Sequence, residues 1–174
     1  VFPDGERFIT LASNRMAAVW NVAAGEVVVR LTLVASHRVV KVLPDGERIL
    51  TGCSLVPGDP VLLWNLSDRQ VVHRMQHFEE AVTLLSLAPC GEKMVAEGYT
   101  SISVWSLATG RLDRAFPRRV GRAFDVATSR GAARVVSTEG HCVLAWSGLT
   151  GEVLMTACMD ATVVAFAMLQ DGSG

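Results

Sequence analysis

The sequence predicts an all-β protein made of a four-stranded antiparallel unit that recurs about every 41 residues, and three observations predict it. Tryptophan occurs at Trp20, Trp64, Trp105 and Trp146, with spacings of 44, 41 and 41 residues. A turn dipeptide at Asp4-Gly5, Asp45-Gly46, Cys90-Gly91, Arg130-Gly131 and Asp171-Gly172 advances with it, by 41, 45, 40 and 41 residues. Between these markers the segments run about five to eight residues and are rich in Val, Ile, Leu and Thr. That is the length and composition of strands, and no segment sustains the 3.6-residue apolar stripe of a helix.

Taken in order, residues 1–31 supply the last three strands of one unit. They open with Pro3-Asp4-Gly5-Glu6-Arg7, which recurs letter for letter as Pro44-Asp45-Gly46-Glu47-Arg48 in the next unit. Complete units follow at 32–75, 76–116 and 117–158, and 159–170 is the first strand of a further one, so that 1–174 reads as one continuous segment. Gly5, Gly46, Gly91 and Gly131 mark the first turn of each unit, and Gly25, Gly110 and Gly151 mark a later turn, with Asp68-Arg69 in that place in the second unit. In the third unit the strands are expected at Val82–Ala88, Lys93–Gly98, Ile102–Leu107 and Leu112–Phe116. The Trp-bearing segments Val61–Trp64 and Val143–Trp146 are apolar on both faces, as expected of strands covered from both sides. One such sheet alone exposes two apolar faces, so neighbours must stack to make a core, with Trp20, Trp64, Trp105 and Trp146 as structural anchors.

Four short strands per period, a Pro-Asp-Gly turn between the first two and a Trp ending the third resemble WD40 repeats over nearly the whole chain. The resemblance implies a β-propeller of four-stranded antiparallel blades. About four units stand at the low end of the roughly four to eight blades of propellers, which leaves open a fragment of a larger one. The units are degenerate. The Asp of the family's Trp-Asp pair is replaced by Asn21, Asn65, Ser106 and Ser147, and the loop Asp six residues before each Trp by Asn14, Gly58, Tyr99 and Gly140. The family's His before the first strand is matched at His77, but Pro117 stands at the corresponding place in the fourth unit. The polar network that links these positions in the family is therefore not expected to form intact. Such units are similar to those in the propellers of NACHT and WD-repeat regulators, whose ATPase would carry a phosphate-cradling glycine loop that this chain lacks.

In the family, the loops entering each first strand and those joining second to third strands share one face, which the resemblance implies is the partner-binding face. Here those loops hold His77, Phe78, Glu79 and Glu80, then Arg118, Arg119 and Arg122, the stretch Val56–Pro60, and Tyr99-Thr100. An aromatic beside charges is how binding hot spots are commonly built, so Phe78, Tyr99 and Arg119 are the leading anchors.

Composition narrows the function classes. Sixteen basic residues against 17 acidic ones give a net charge of −1, too little field to steer the chain onto nucleic acid or an anionic membrane. Apolar runs are far shorter than the roughly 20 residues a membrane helix needs. Cys53, Cys90, Cys142 and Cys158 are widely spaced in apolar surroundings and read as buried thiols, which favours a reducing, cytoplasmic setting.

The residues that imitate chemistry have plainer readings. His73 and His77 share a face only on a helix, and His141-Cys142 on a strand point to opposite faces. Glu79-Glu80 reads as a solvated loop, and Arg111, Arg114, Arg118, Arg119 and Arg122 as a solvated rim that could also grip a carboxylate or phosphate. No catalytic, metal or cofactor residues are expected. The expected function is a non-catalytic scaffold or regulatory module that binds other proteins or other domains of its parent chain. Two alternatives stand beside it: a propeller hydrolase with acidic residues at the central channel, and a purely architectural part of a larger multidomain regulator.

Overall fold

The structure, a computed structural model, describes residues 1–34, 37–52, 56–76, 81–117, 126–128 and 134–163. The all-β expectation holds: among these residues there is no helix, and fifteen strands form four antiparallel sheets, none of them closed. The chain divides into two compact units, Val1–Val82 and Thr83–Gly174.

In the first unit, β1 (Arg7–Ala12), β2 (Met16–Asn21) and β3 (Val27–Thr32) form a three-stranded sheet. β4 (Val39–Val42), β5 (Arg48–Gly52), β6 (Val61–Asn65) and β7 (Gln70–Met75) form a four-stranded one. In the second unit, β8 (Leu84–Leu87), β9 (Lys93–Glu97), β10 (Ser101–Ser106) and β11 (Leu112–Pro117) make one sheet, and β12 (Val126–Thr128), β13 (Arg134–Glu139), β14 (Cys142–Ser147) and β15 (Val153–Cys158) the other. Every sheet is a meander in chain order, each strand pairing with the next in sequence. The strands expected in the third repeat appear within two residues of their expected ends, β8 being the shortest relative to expectation.

The repeated turn owes its shape to its own five residues. Asp4 Oδ1 accepts the N–H groups of Glu6 and Arg7 at 2.9 and 3.2 Å, while its Oδ2 accepts Arg7 Nε at 2.6 Å. Asp45 does the same for Glu47 and Arg48 at 2.9, 3.0 and 2.6 Å. The following glycine must turn left-handed, at φ 72° for Gly5 and 68° for Gly46, a conformation that costs glycine nothing. Arg7 also links the two turns, donating to the Gly46 carbonyl at 2.9 Å while its guanidinium lies 4.5 Å above the Phe2 ring.

A second repeated device sits at each tryptophan. The pairing of the third strand with the fourth slips by one residue just before Trp20, Trp64, Trp105 and Trp146, a bulge in all four sheets. In three of the sheets the residue after the Trp then caps the hairpin that follows. Asn21 Oδ1 accepts the Ala24 N–H at 2.8 Å, Asn65 Oδ1 the Ser67 N–H at 2.9 Å, and Ser147 Oγ the Thr150 N–H at 3.1 Å. Asn21, Asn65 and Ser147 thus each accept a turn N–H.

Strand alternation decides what packs where. In the first unit the core joins Ala17, Val19 and Leu31 of the first sheet to Ile49, Leu62 and Trp64 of the second. In the second unit it joins Ile102, Val104 and Phe116 to Val135, Leu144 and Trp146. The first sheet of each pair thus presents the positions one and three before its Trp, and the second sheet presents its Trp and the position two before it. Successive side chains on a strand point to opposite faces, so one strand can serve two contacts only if it is apolar on both. Val61–Leu63 and Ile102–Trp105 carry no charged residue and are almost wholly buried.

Two cysteines depart from expectation. Cys142 and Cys158 are not separate buried thiols: they are paired residues of β14 and β15, joined as a disulfide, with Cys158 exposed. The hairpin register brings them opposite each other. Cys90 is a free, half-buried thiol packed against the second unit's core, and Cys53 lies outside the described residues. Among the described residues no helix is long and apolar enough to cross a membrane.

Candidate functional site

Of the residues expected on the binding face, the structure describes Tyr99. His77, Phe78, Glu79, Glu80, Arg118, Arg119 and Arg122 lie outside the described residues, as does the structural Gly131. Tyr99 sits in the three-residue turn between β9 and β10 and is 55% exposed, a high value for a large aromatic. Beneath it, Glu97 at the end of β9 is completely buried, and its carbonyl accepts both the N–H and the hydroxyl of Thr83, at 2.8 and 3.0 Å. These bonds tie the chain entering β8 to the base of the Tyr99 turn. Val56, in the longer loop between β5 and β6, is 58% exposed.

Sequence reasoning missed His37. It enters β4, is only 6% exposed, and its Nδ1 lies 2.9 Å from Thr51 Oγ1, which also accepts the indole N–H of Trp64 at 3.0 Å. Burial pushes the His37 pKa below its ordinary value, and it outweighs the Asp59 carboxylate and the Pro60 carbonyl, which act in the opposite direction. Its Nε2 is buried without a hydrogen-bond partner of good geometry, even though Pro60 contributes electrostatically. The network was not expected to form intact, and in this sheet part of one is present. A His–Thr–Trp chain forms, with Asp59 near the histidine. Asp59 stands five residues before Trp64 instead of six, in a unit whose Trp spacing is three residues longer than the next. The signal available in the sequence was a histidine two residues before the valine-rich strand Val39–Val42.

The tryptophan part of that network recurs in every sheet. Trp20 Nε1 donates to Thr10 Oγ1 at 3.0 Å and Trp146 Nε1 to Ser137 Oγ at 3.0 Å, each acceptor lying on the strand before the Trp strand. In the third repeat that acceptor position is Ala96, and its cross-strand partner is Ser103 where the other sheets have Ala18, Leu62 and Leu144. Ser103 Oγ accepts the Trp105 indole at 2.9 Å and itself donates to the Ala96 carbonyl at 3.1 Å. The hydroxyl has moved across the strand pair while the indole bond stays.

The carboxylates of the repeated turns serve those turns. Arg7 holds the Asp4 carboxyl below its ordinary value. Asp45 is also lowered: partial burial is the largest single influence and raises it, but the Glu47 and Arg48 N–H groups and the Arg48 guanidinium together prevail. Among the described residues no three His, Cys, Asp or Glu side chains come together in a way that could hold a metal ion. Compared with protein-family models and with curated proteins, the chain matches none.

Proposed function

We propose that the chain is a segment of a WD40-like β-propeller that serves as a non-catalytic protein-interaction scaffold or regulatory module. Its binding elements are the loops that enter first strands and join second strands to third, and its partner is another protein or another domain of the parent chain. The observation that supports the reading is the indole-to-hydroxyl bond repeated in four sheets. It sits beside the same bulge and the same face alternation, in blocks spaced as the tryptophans are. A scaffold built this way fixes its strands rigidly and leaves the hairpin ends free to vary, the usual division between framework and binding loops.

Tyr99 gives the binding role its described foothold, because a tyrosine held on a short turn offers a large amphipathic surface at low entropic cost. The test is a quantitative pull-down from extract of the source cells, comparing wild type with Tyr99→Ala, Phe78→Ala and Arg119→Ala. A hot-spot anchor is worth at least about 2 kcal/mol, so partner retention should fall more than tenfold for at least one variant. Equal retention by all three would remove these loops from the binding role.

A further inference from the structure

The four outermost strands β3, β7, β11 and β15 end their sheets, and three of them are guarded. β3 carries Arg30, β7 carries Arg74, and β11 carries Asp113 and Arg114, all exposed. Charged side chains on an outer strand are the usual protection against pairing with another chain. β15 has none: Val153, Leu154, Met155, Thr156, Ala157, Cys158 and the following Met159 are all uncharged and all exposed. Leu154 is 55%, Met155 50% and Met159 64% exposed. The strand is nonetheless well anchored on its inner side, paired with β14 over its length, bonded from Met159 N–H to the His141 carbonyl, and tied by the Cys142–Cys158 disulfide. Among the described residues it ends its sheet, so no described strand pairs with its outer row of N–H and C=O groups.

What fits the edge follows from the charges at its ends. Glu152 precedes the uncharged stretch and Asp160 follows it, both exposed. If two copies of the chain paired antiparallel over all seven residues, Glu152 of each would face Asp160 of the other, placing like charges opposite at both ends. A second copy is therefore a poor occupant. We infer that the β15 edge is a strand-addition site for an extended peptide segment with an uncharged, apolar core of about seven residues bracketed by basic side chains. Main-chain bonds supply the attachment, and the two flanking carboxylates select the charge pattern. The surface is separate from the Tyr99 loop, so it goes beyond the scaffold reading above.

The experiment uses the full 174-residue chain and labelled nonapeptides read by fluorescence anisotropy. One has Arg at both ends of a seven-residue Val/Thr core, a second has Glu at both ends, and a third is the Arg peptide N-methylated at alternate amides along one edge, made in both phases. The Arg peptide should bind at least tenfold more tightly than the Glu peptide. Glu152→Gln with Asp160→Asn should erase that preference, Leu154→Lys should weaken binding at least tenfold with an unchanged circular-dichroism spectrum, and one methylation phase should abolish binding. Tyr99→Ala should leave the Arg peptide bound, which separates this site from the loop face. Failure of the Arg peptide to bind at about 1 mM, equal affinity for both flanking charges, or indifference to either methylation phase would overturn the proposal.

Discussion

The sheet β4–β7 and the sheet β8–β11 solve one problem in two ways. Each buries a tryptophan whose indole N–H must find an acceptor. In the first the acceptor is Thr51 on the neighbouring strand, joined also by His37; in the second it is Ser103 on the tryptophan's own strand, opposite Ala96. What the repeat preserves is the satisfied donor and not the residue that satisfies it, because an unmet buried donor costs about 1–3 kcal/mol whichever neighbour failed to meet it. Degeneracy in the sequence is thus partly a rearrangement among side chains that touch.

The largest effect that would break this comparison is removal of the rings. Trp64→Ala and Trp105→Ala should each cost about 3–5 kcal/mol in chemical denaturation, whereas Trp20→Ala, at a half-buried ring stacked 6.0 Å from Phe8, should cost less than half as much. Equal losses at all three would mean that burial does not set the scale. Next come the acceptors. Thr51→Val and Ser103→Ala should each lose about 1–3 kcal/mol, the former more because His37 is stranded with the indole. The exchange Ala96→Ser with Ser103→Ala should recover most of the second loss, since Thr51 and Ser137 already reach their indoles from that position. Strict additivity of the two changes would refute the idea of a transferable hydroxyl.

Smaller still is a backbone effect. Where the other three sheets have Gly25, Gly110 and Gly151 in left-handed conformation, the second has Arg69 at φ 61°. Arg69→Gly should change stability by no more than about 1 kcal/mol, in the stabilising direction, the relief of the side-chain clash exceeding the added freedom of the unfolded chain. The converse change at Gly151 should be costly, because a Cβ there would meet the Phe116 ring at 3.0 Å.

The smallest effect near neutrality is carried by pH. His37 is neutral when folded and takes up a proton more readily when unfolded, with an ordinary value of 6.5. Its contribution is complete above about 6.5 and declines as pH falls below it, since there the unfolded chain binds the extra proton. Urea titrations from pH 7.5 to 5 should show that slope in wild type and a reduced one in His37→Gln. An identical slope would place the titrating group elsewhere.

Much of the framework was legible because its determinants are local or periodic: the Pro-Asp-Gly turn, the Trp spacing and the short apolar runs each act within one hairpin. The doubly apolar strands were legible too, since alternation maps sequence directly onto faces. What escaped notice depended on cross-strand register. Cys142 and Cys158 look unrelated until the bulge between Ala145 and Trp146 sets the count that brings them opposite each other. His37 escaped because its partners Thr51 and Trp64 are 14 and 27 residues away, and because the loop aspartate had slipped by one position. The turn position of Tyr99 was legible, and the burial of Glu97 at the end of β9 was missed because a charged residue inside an expected strand gives no sign of which way it faces.

The twin turns at Pro3–Arg7 and Pro44–Arg48 have a kinetic consequence. Each closes its carboxylate and guanidinium contacts within four residues, so it can form without waiting for distant chain to arrive. Closing so short a loop takes well under a microsecond and a hairpin about 1–10 μs, while contacts between sheets demand far longer diffusional searches. The copy at Pro44–Arg48 joins β4 to β5, and is thus an early point from which that sheet can zip.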